Sequence, residues 1–223
     1  MGKIAFVFSG QGAQKAGMGK AFYETNETVK ALFDGAEALR AGTLAQCFAG
    51  TAEELKETQN TQPCLYLADL AAAIALAEAG ITPNGVAGFS LGEIPALAFA
   101  GAYSFLDGFQ IACARGNAMA KAAAEHPASM LAVMKLEKKT IQEICKKFKQ
   151  VYPVNDNAPG QLVVAGAKEE MEAFNQAIRA AGGRGMPVAV GGGFHSPFMD
   201  EAAEAFAAEI GNFAIKQPEL PVY

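Results

Sequence analysis

The first apolar run, Ile4-Ala5-Phe6-Val7-Phe8, is closed by Ser9-Gly10. A short unbroken run bounded by turn residues predicts a strand buried on both faces, as in a parallel sheet. Gly10-Gln11-Gly12 then reads as a loop, and Gly17-Met18-Gly19 opens a helical stretch. Apolar spacing predicts a helix over residues 27–41, and Thr51 caps another that starts at Thr51-Ala52-Glu53-Glu54. Thr61-Gln62-Pro63 begins a long Ala/Leu helix ending at Gly80. After the turn Pro83-Asn84-Gly85, residues 86–89 form a short strand with Ser90 at its end. A helix follows from Leu91 to Phe99, and a second, over residues 104–124, carries Arg115. This strand–helix alternation predicts an α/β domain with a mostly parallel sheet.

The pattern changes after Pro127. Strands are predicted at 130–136, 151–154, 162–165 and 186–190, with helices at 140–148 and 169–181 and a turn cluster at 155–160. The order βαββαβ is that of a ferredoxin-like unit. The expected organisation is therefore a large α/β domain, residues 1–127 and 197–223, with a ferredoxin-like small domain, residues 128–196, inserted in it.

Composition narrows the function. Of 223 residues, 51% are hydrophobic and 18% charged, enough to bury a sizeable core. The net charge of −5 argues against a nucleic-acid footprint, which needs a basic stripe. The longest apolar stretch, residues 65–81, contains Asp69 and Glu78 and is too short for a membrane span. Cys47, Cys64, Cys113 and Cys145 are scattered with no Cys/His cluster, so no metal site is expected. They read as reduced thiols in a cytoplasmic protein.

Gly88-Phe89-Ser90-Leu91-Gly92 is a GxSxG motif between a predicted strand and a predicted helix. That context places a serine on a sharp turn with its hydroxyl presented, and puts the Leu91 N–H at a helix start where it suits an oxyanion. A serine nucleophile needs a base. The two histidines are His126, at a predicted helix end, and His195, between Gly193-Phe194 and Ser196-Pro197 at the joint of the two domains. His195 is the preferred candidate, because clefts form at such joints. Arg115 sits among apolar neighbours and needs an anionic partner if buried. The residues alone point to an internal ion pair with Asp107 or Glu93.

Six segments occur in order: residues 8–14 (Phe8-Ser9-Gly10-Gln11-Gly12-Ala13-Gln14), Thr61-Gln62-Pro63, 88–93, Arg115-Gly116, 157–161 (Asn157-Ala158-Pro159-Gly160-Gln161) and 193–197. Together they closely resemble malonyl-CoA:acyl carrier protein transacylases and the acyltransferase domains of polyketide synthases. The resemblance implies a hydrolase-like α/β domain with a ferredoxin-like insertion. It implies Ser90 as the acylated residue, His195 as base and then acid, and the N–H groups of Gln11 and Leu91 as the oxyanion hole. Arg115 would hold the malonyl carboxylate, with Gln62, Asn157 and Phe194 around the substrate. The implied partners are malonyl-CoA and an acyl carrier protein, in fatty acid or polyketide synthesis, with no cofactor. An acidic carrier needs a basic patch, which Lys135, Lys138, Lys139, Lys146, Lys147 and Lys149 could supply, although most of them read first as a solvated helix face.

Two departures stand out. Phe89 occupies a position where the family commonly has histidine. The family also continues past the position of Tyr223 into further strands, one of which orients the histidine. The chain is thus expected to be a shortened form of a monomeric enzyme, poorly active and prone to self-association. Two other readings of the same serine remain: an esterase or thioesterase, which would need an acidic partner for the histidine, and a fragment that only binds a carrier protein.

Overall fold

The computed structural model describes residues 2–223. They form two compact units, one running through Asn117 and including Phe206–Tyr223, the other Ala118–Ala205.

In the first unit β1 (Ala5–Phe8) pairs in parallel with β2 (Gly85–Gly88), with Ala5 opposite Gly85 and Phe8 opposite Gly88. Val222 extends the sheet by a parallel bridge to Val86 on the other side of β2. Phe6 and Phe8 are buried against Phe99, with ring centroids 5.5 and 6.0 Å apart. The expectation of a strand buried on both faces does not hold for β1: Val7 is 75% exposed. The exposed face borders a pocket of about 200 Å³ lined by Ala5, Val7, Asp69, Ala72 and Leu76, so this strand alternates.

Helices α1 (Lys20–Thr25), α2 (Glu27–Leu39), α3 (Thr43–Ala49), α4 (Thr58–Glu78) and α5 (Glu93–Phe99) surround the pair, with α6 (Phe105–Glu125) beginning here. Asn26 caps α2 through the Val29 N–H at 2.9 Å, and Val29, Leu32, Phe33 and Ala36 form its buried stripe. Phe33 stacks on Phe48. The sequence gives no sign of α3, which follows Gly42 at positive φ and has no side-chain cap. Thr51 does form a capping box with Glu54, but only a single 3-10 turn, Glu54–Lys56, follows it. The long helix then begins at Thr58, three residues earlier than its Thr-Gln-Pro start signal, so Pro63 lies inside it. Anchors on the first turn explain the extension: Thr58 bonds to Gln11, and Asn60 accepts from Arg40.

The second unit has β3 (Ala128–Met134), α7 (Lys138–Cys145), β4 (Val151–Ala158), β5 (Gln161–Ala167), α8 (Lys168–Ala180) and β6 (Arg184–Pro187), followed by the start of α9 (Asp200–Ile210). The antiparallel order β4-β5-β3-β6 is ferredoxin-like. Alternation sorts its side chains cleanly. Leu131, Val133, Leu162 and Val164 pack under Ile141, Ile144, Phe174 and Ile178 of the helices. Met130, Val163 and Ala165 face the opposite way, toward Met119, Phe194 and Met199. Asn155–Ala158, expected as a turn, instead continue β4 with register shifts on the way, and β6 ends at Pro187, short of Val190.

Gly92 fixes the spacing of α5 from β1. A Cβ there would lie 2.8 Å from both the Phe8 carbonyl carbon and the Ser9 oxygen, with the Phe8 oxygen nearer still. All three are backbone atoms that cannot rotate away. Gly92→Ala is expected to lower stability by about 2–3 kcal/mol, despite the better helix propensity of alanine. Thermal unfolding followed by circular dichroism measures this, and an unchanged midpoint would show that the backbones can part.

Candidate active site

Ser90 follows β2 directly and opens a 3-10 turn, Ser90–Gly92, that runs into α5. Its φ of 56° is left-handed, a region that costs a non-glycine residue energy and persists only where the surroundings impose it. The surroundings here are backbone. The Phe89 N–H donates to the Phe8 carbonyl at 3.2 Å, and the Gly92 N–H donates to the Phe89 carbonyl at 3.0 Å. Any side chain at Gly88 would overlap the backbone of Gly92 and Glu93. The flanking glycines of GxSxG are thus explained by contact, and the Leu91 N–H lies at the helical start. Phe89 is 48% exposed beside the serine.

Arg115 reaches the same place from α6. Its Nη2 donates to Ser90 Oγ at 3.1 Å and its Nη1 to Gln62 Oε1 at 2.9 Å. Gly116 permits the approach, because a Cβ there would come within 3.1 Å of the Thr58 carbonyl oxygen. The polar chain continues from Gln62 Nε2 to Thr58 Oγ1 at 3.4 Å, and from that hydroxyl to Gln11 Oε1 at 2.6 Å. Gln62 is fully buried. Burial lowers the Arg115 pKa, and the nearby charge of Glu93 acts in the opposite direction. The internal ion pair expected from the residues is not formed: Arg115 takes part in none of the ion pairs of the described residues. Asp107 instead accepts from Ser104, at the start of α6. A partly buried guanidinium without a carboxylate has the planar fork that can take one bidentately.

Three further residues belong to this assembly to which the sequence assigned no role in the site. Thr58 links Gln62 to Gln11. Ser9 Oγ donates to Asp69 Oδ1 at 2.9 Å, which ties the residue before Gly10-Gln11 to α4. Burial raises the Asp69 carboxyl to about 6, opposed by its hydrogen bonds from Ser9. The one available signal was a carboxylate inside the longest apolar stretch.

Ser90, Leu91, Gln11, Gln62 and Arg115 therefore lie in the first unit. Asn157, Phe194 and His195 lie in the second. Asn157 is an exposed β4 residue at a register shift, where a bulge re-aims side chains. Phe194 is 5% exposed and packs with Met199 and Ala202. His195 is exposed and, like Ser90, left-handed, with φ 61°. Its loop is closed by the Ser196 hydroxyl, which donates to the Gly193 carbonyl. His126 approaches Glu201 at 3.5 Å, and together with Glu125 these place ligand-type atoms within 4.8 Å of one another, a grouping across α6 and α9 that the sequence spacing hid. In the basic group, Lys138 pairs with Asp156 and Lys146 with Glu143, which neutralises part of it locally.

Residues 5–223 match the acyl transferase domain family. The malonyl CoA-acyl carrier protein transacylase of Bacillus subtilis is 38% identical over 228 residues, covering 100% of this chain and 72% of that protein. The Synechocystis protein of the same name is 35% identical, covering 99% and 73%. Among solved structures, the malonyl CoA-acyl carrier protein transacylase of Clostridium perfringens superposes with a TM-score of 0.93 at 33% identity, covering 99% of this chain and 71% of that one. A malonyl-transacylase in complex with a type II polyketide synthase acyl-carrier protein gives 0.92 at 35% identity, covering 99% and 74%. No described helix is long and apolar enough to cross a membrane. The chain belongs to the acyl transferase domain family, among the malonyl CoA-acyl carrier protein transacylases.

Proposed function

We propose that the protein transfers a malonyl group from coenzyme A to the phosphopantetheine thiol of an acyl carrier protein, through an ester on Ser90. The observation that carries this reading is Arg115: a partly buried guanidinium on Ser90 Oγ, with no carboxylate of its own.

In the first half-reaction His195 takes the Ser90 proton as Oγ attacks the thioester carbonyl. The resulting oxyanion is held by the N–H groups of Gln11 and Leu91, fixed in place before the substrate arrives. The C–S bond then breaks, and the departing CoA thiolate receives the proton from His195. In the second half the carrier thiol gives its proton to His195 and attacks the ester, and Ser90 Oγ leaves with that proton. Arg115 pairs bidentately with the distal carboxylate of the malonyl group, and Gln62 holds the guanidinium in plane by accepting from Nη1. Asn157 supports the bound acyl chain, and Phe194 backs the His195 loop. Nucleophile, base and anion clamp are all side chains, so the exchange of one thioester for another calls on no cofactor. Coenzyme A esters and carrier proteins, together with four unpaired cysteines, support a cytoplasmic setting.

An esterase has no use for Arg115, so the partition of the acyl group is the test. With labelled malonyl-CoA, label is expected on the carrier thiol faster than as free malonate; release as malonate alone would identify a hydrolase.

Ser90→Ala is expected to abolish transfer. His195→Ala should slow acylation by about 10²–10⁴-fold, whereas His126→Ala leaves it near wild type, as read by stopped-flow release of CoA. Equal effects of the two histidine variants would remove His195 from the mechanism.

Arg115→Ala is expected to cost malonyl transfer about 2–5 kcal/mol, because the substrate carboxylate is left unpaired, and to spare acetyl transfer. Arg115→Lys should recover only part of the loss, since an ammonium cannot reproduce the fork. kcat/KM for the two CoA esters measures both; a common factor for malonyl and acetyl would make Arg115 structural.

A further inference from the structure

Both neighbours of Gly10 are tied to α4. Gln11 Oε1 accepts from Thr58 Oγ1 at 2.6 Å, and Ser9 Oγ donates to Asp69 Oδ1 at 2.9 Å. Thr58, Gln62 and Asp69 stand four and eleven residues apart along the helix and so share one face of it. That face carries the Arg115 support and both ties of the Ser9-Gly10-Gln11 loop. The same loop also abuts the nucleophile turn. The carbonyl of Phe8, next to Ser9, accepts from the Phe89 N–H, and the Ser9 oxygen lies against Gly92. Fixing Ser9 therefore fixes the spacing between the Gln11 loop and the Leu91 turn.

We propose that Asp69 is a positioning residue for acyl transfer, holding Ser9 so that the Gln11 N–H is set against the acyl oxygen. The proposal rests on the reading above, in which Gln11 and Leu91 form the oxyanion hole.

The energetics of Asp69 separate this role from plain structural support. Its Oδ2 is buried with no hydrogen-bond partner. Burial is the largest influence on the carboxyl and raises it to about 6; only the hydroxyl and N–H of Ser9 favour the anion. Among the described residues no cation acts on it, and β1 beside it carries no charged residue. Because the folded pKa lies above the ordinary carboxyl value of 3.8, the folded state holds the proton more tightly between those two values. The stability contribution is then lost as pH rises through that window, opposite to an ion-paired carboxylate. At neutral pH the charge opposes folding, and burying such a group is tolerated where function needs it.

The test uses the full chain with Asp69→Asn and Ser9→Ala, singly and combined, assayed for malonyl transfer to a phosphopantetheine-bearing carrier protein. Asp69→Asn is expected to lower kcat about ten-fold, a fraction of the 10²–10³ lost when an oxyanion donor is removed outright. KM for malonyl-CoA should stay unchanged. Its thermal midpoint should match or exceed wild type at neutral pH, with that advantage shrinking as pH falls below 6. Ser9→Ala should lose a similar factor, and the double variant should be no worse than either single one. Retained kcat in Asp69→Asn, a fall in kcat that tracks a fall in melting temperature, a raised KM, or losses that multiply in the double variant would each overturn the proposal. If the wild-type chain itself transfers no malonyl group, the parent reading fails and this one with it. If wild type transfers and Asp69→Asn transfers equally, only the positioning role is lost.

Discussion

Arg115 lies partly buried with its two terminal nitrogens on neutral oxygens, Ser90 Oγ and Gln62 Oε1, and it is in none of the ion pairs of the described residues. A guanidinium cannot shed its charge at working pH, so its desolvation is met by hydrogen bonds alone until an anion arrives. Much of the first unit follows from holding that cation. Gly116 brings α6 against the first turns of α4, fully buried Gln62 supplies the acceptor, and Thr58 connects that acceptor to the Gln11 loop. The site is organised around a charge whose hydrogen bonds all go to neutral oxygens, and the proposed malonyl preference rests on that charge.

Backbone packing supplies the rigidity this needs. Ser90 and His195 both sit in left-handed conformations that side chains ordinarily avoid. Strain of this kind is kept where the surroundings over-determine it. At Ser90 the surroundings are the ends of β1 and β2, packed so closely through Gly88 and Gly92 that no Cβ fits. At His195 they are a loop closed by Ser196 on Gly193. In the proposed mechanism, donors set in this way need little reorganisation when charge develops on the acyl oxygen.

Much of this was legible in the chain. Gly88 to Gly92 announce a strand–turn–helix nucleophile because only glycine tolerates those approaches, and the alternation of β3 and β5 gives the ferredoxin-like sheet its two faces. What stayed hidden depends on long-range geometry. Apolar neighbours around Arg115 point equally to an internal ion pair, and only the folded structure shows that Arg115 is in none of the ion pairs of the described residues. Thr58 and Asp69 look like ordinary polar positions until α4 is laid beside the Ser9-Gly10-Gln11 loop. Pro63 reads as a helix start, because anchoring of Thr58 and Asn60 by other segments is invisible locally. The exposure of Val7 likewise depends on what covers a strand, not on the residues in it.

The measurement that bears most directly on the account is the mass of the protein after brief exposure to an equal mixture of malonyl-CoA and acetyl-CoA, followed by peptide mapping. The account predicts a single malonyl group, on the peptide carrying Ser90, with acetyl far less abundant. Acyl mass on the peptide of Cys64 or Cys113, or malonyl and acetyl on Ser90 in equal amounts, would contradict it.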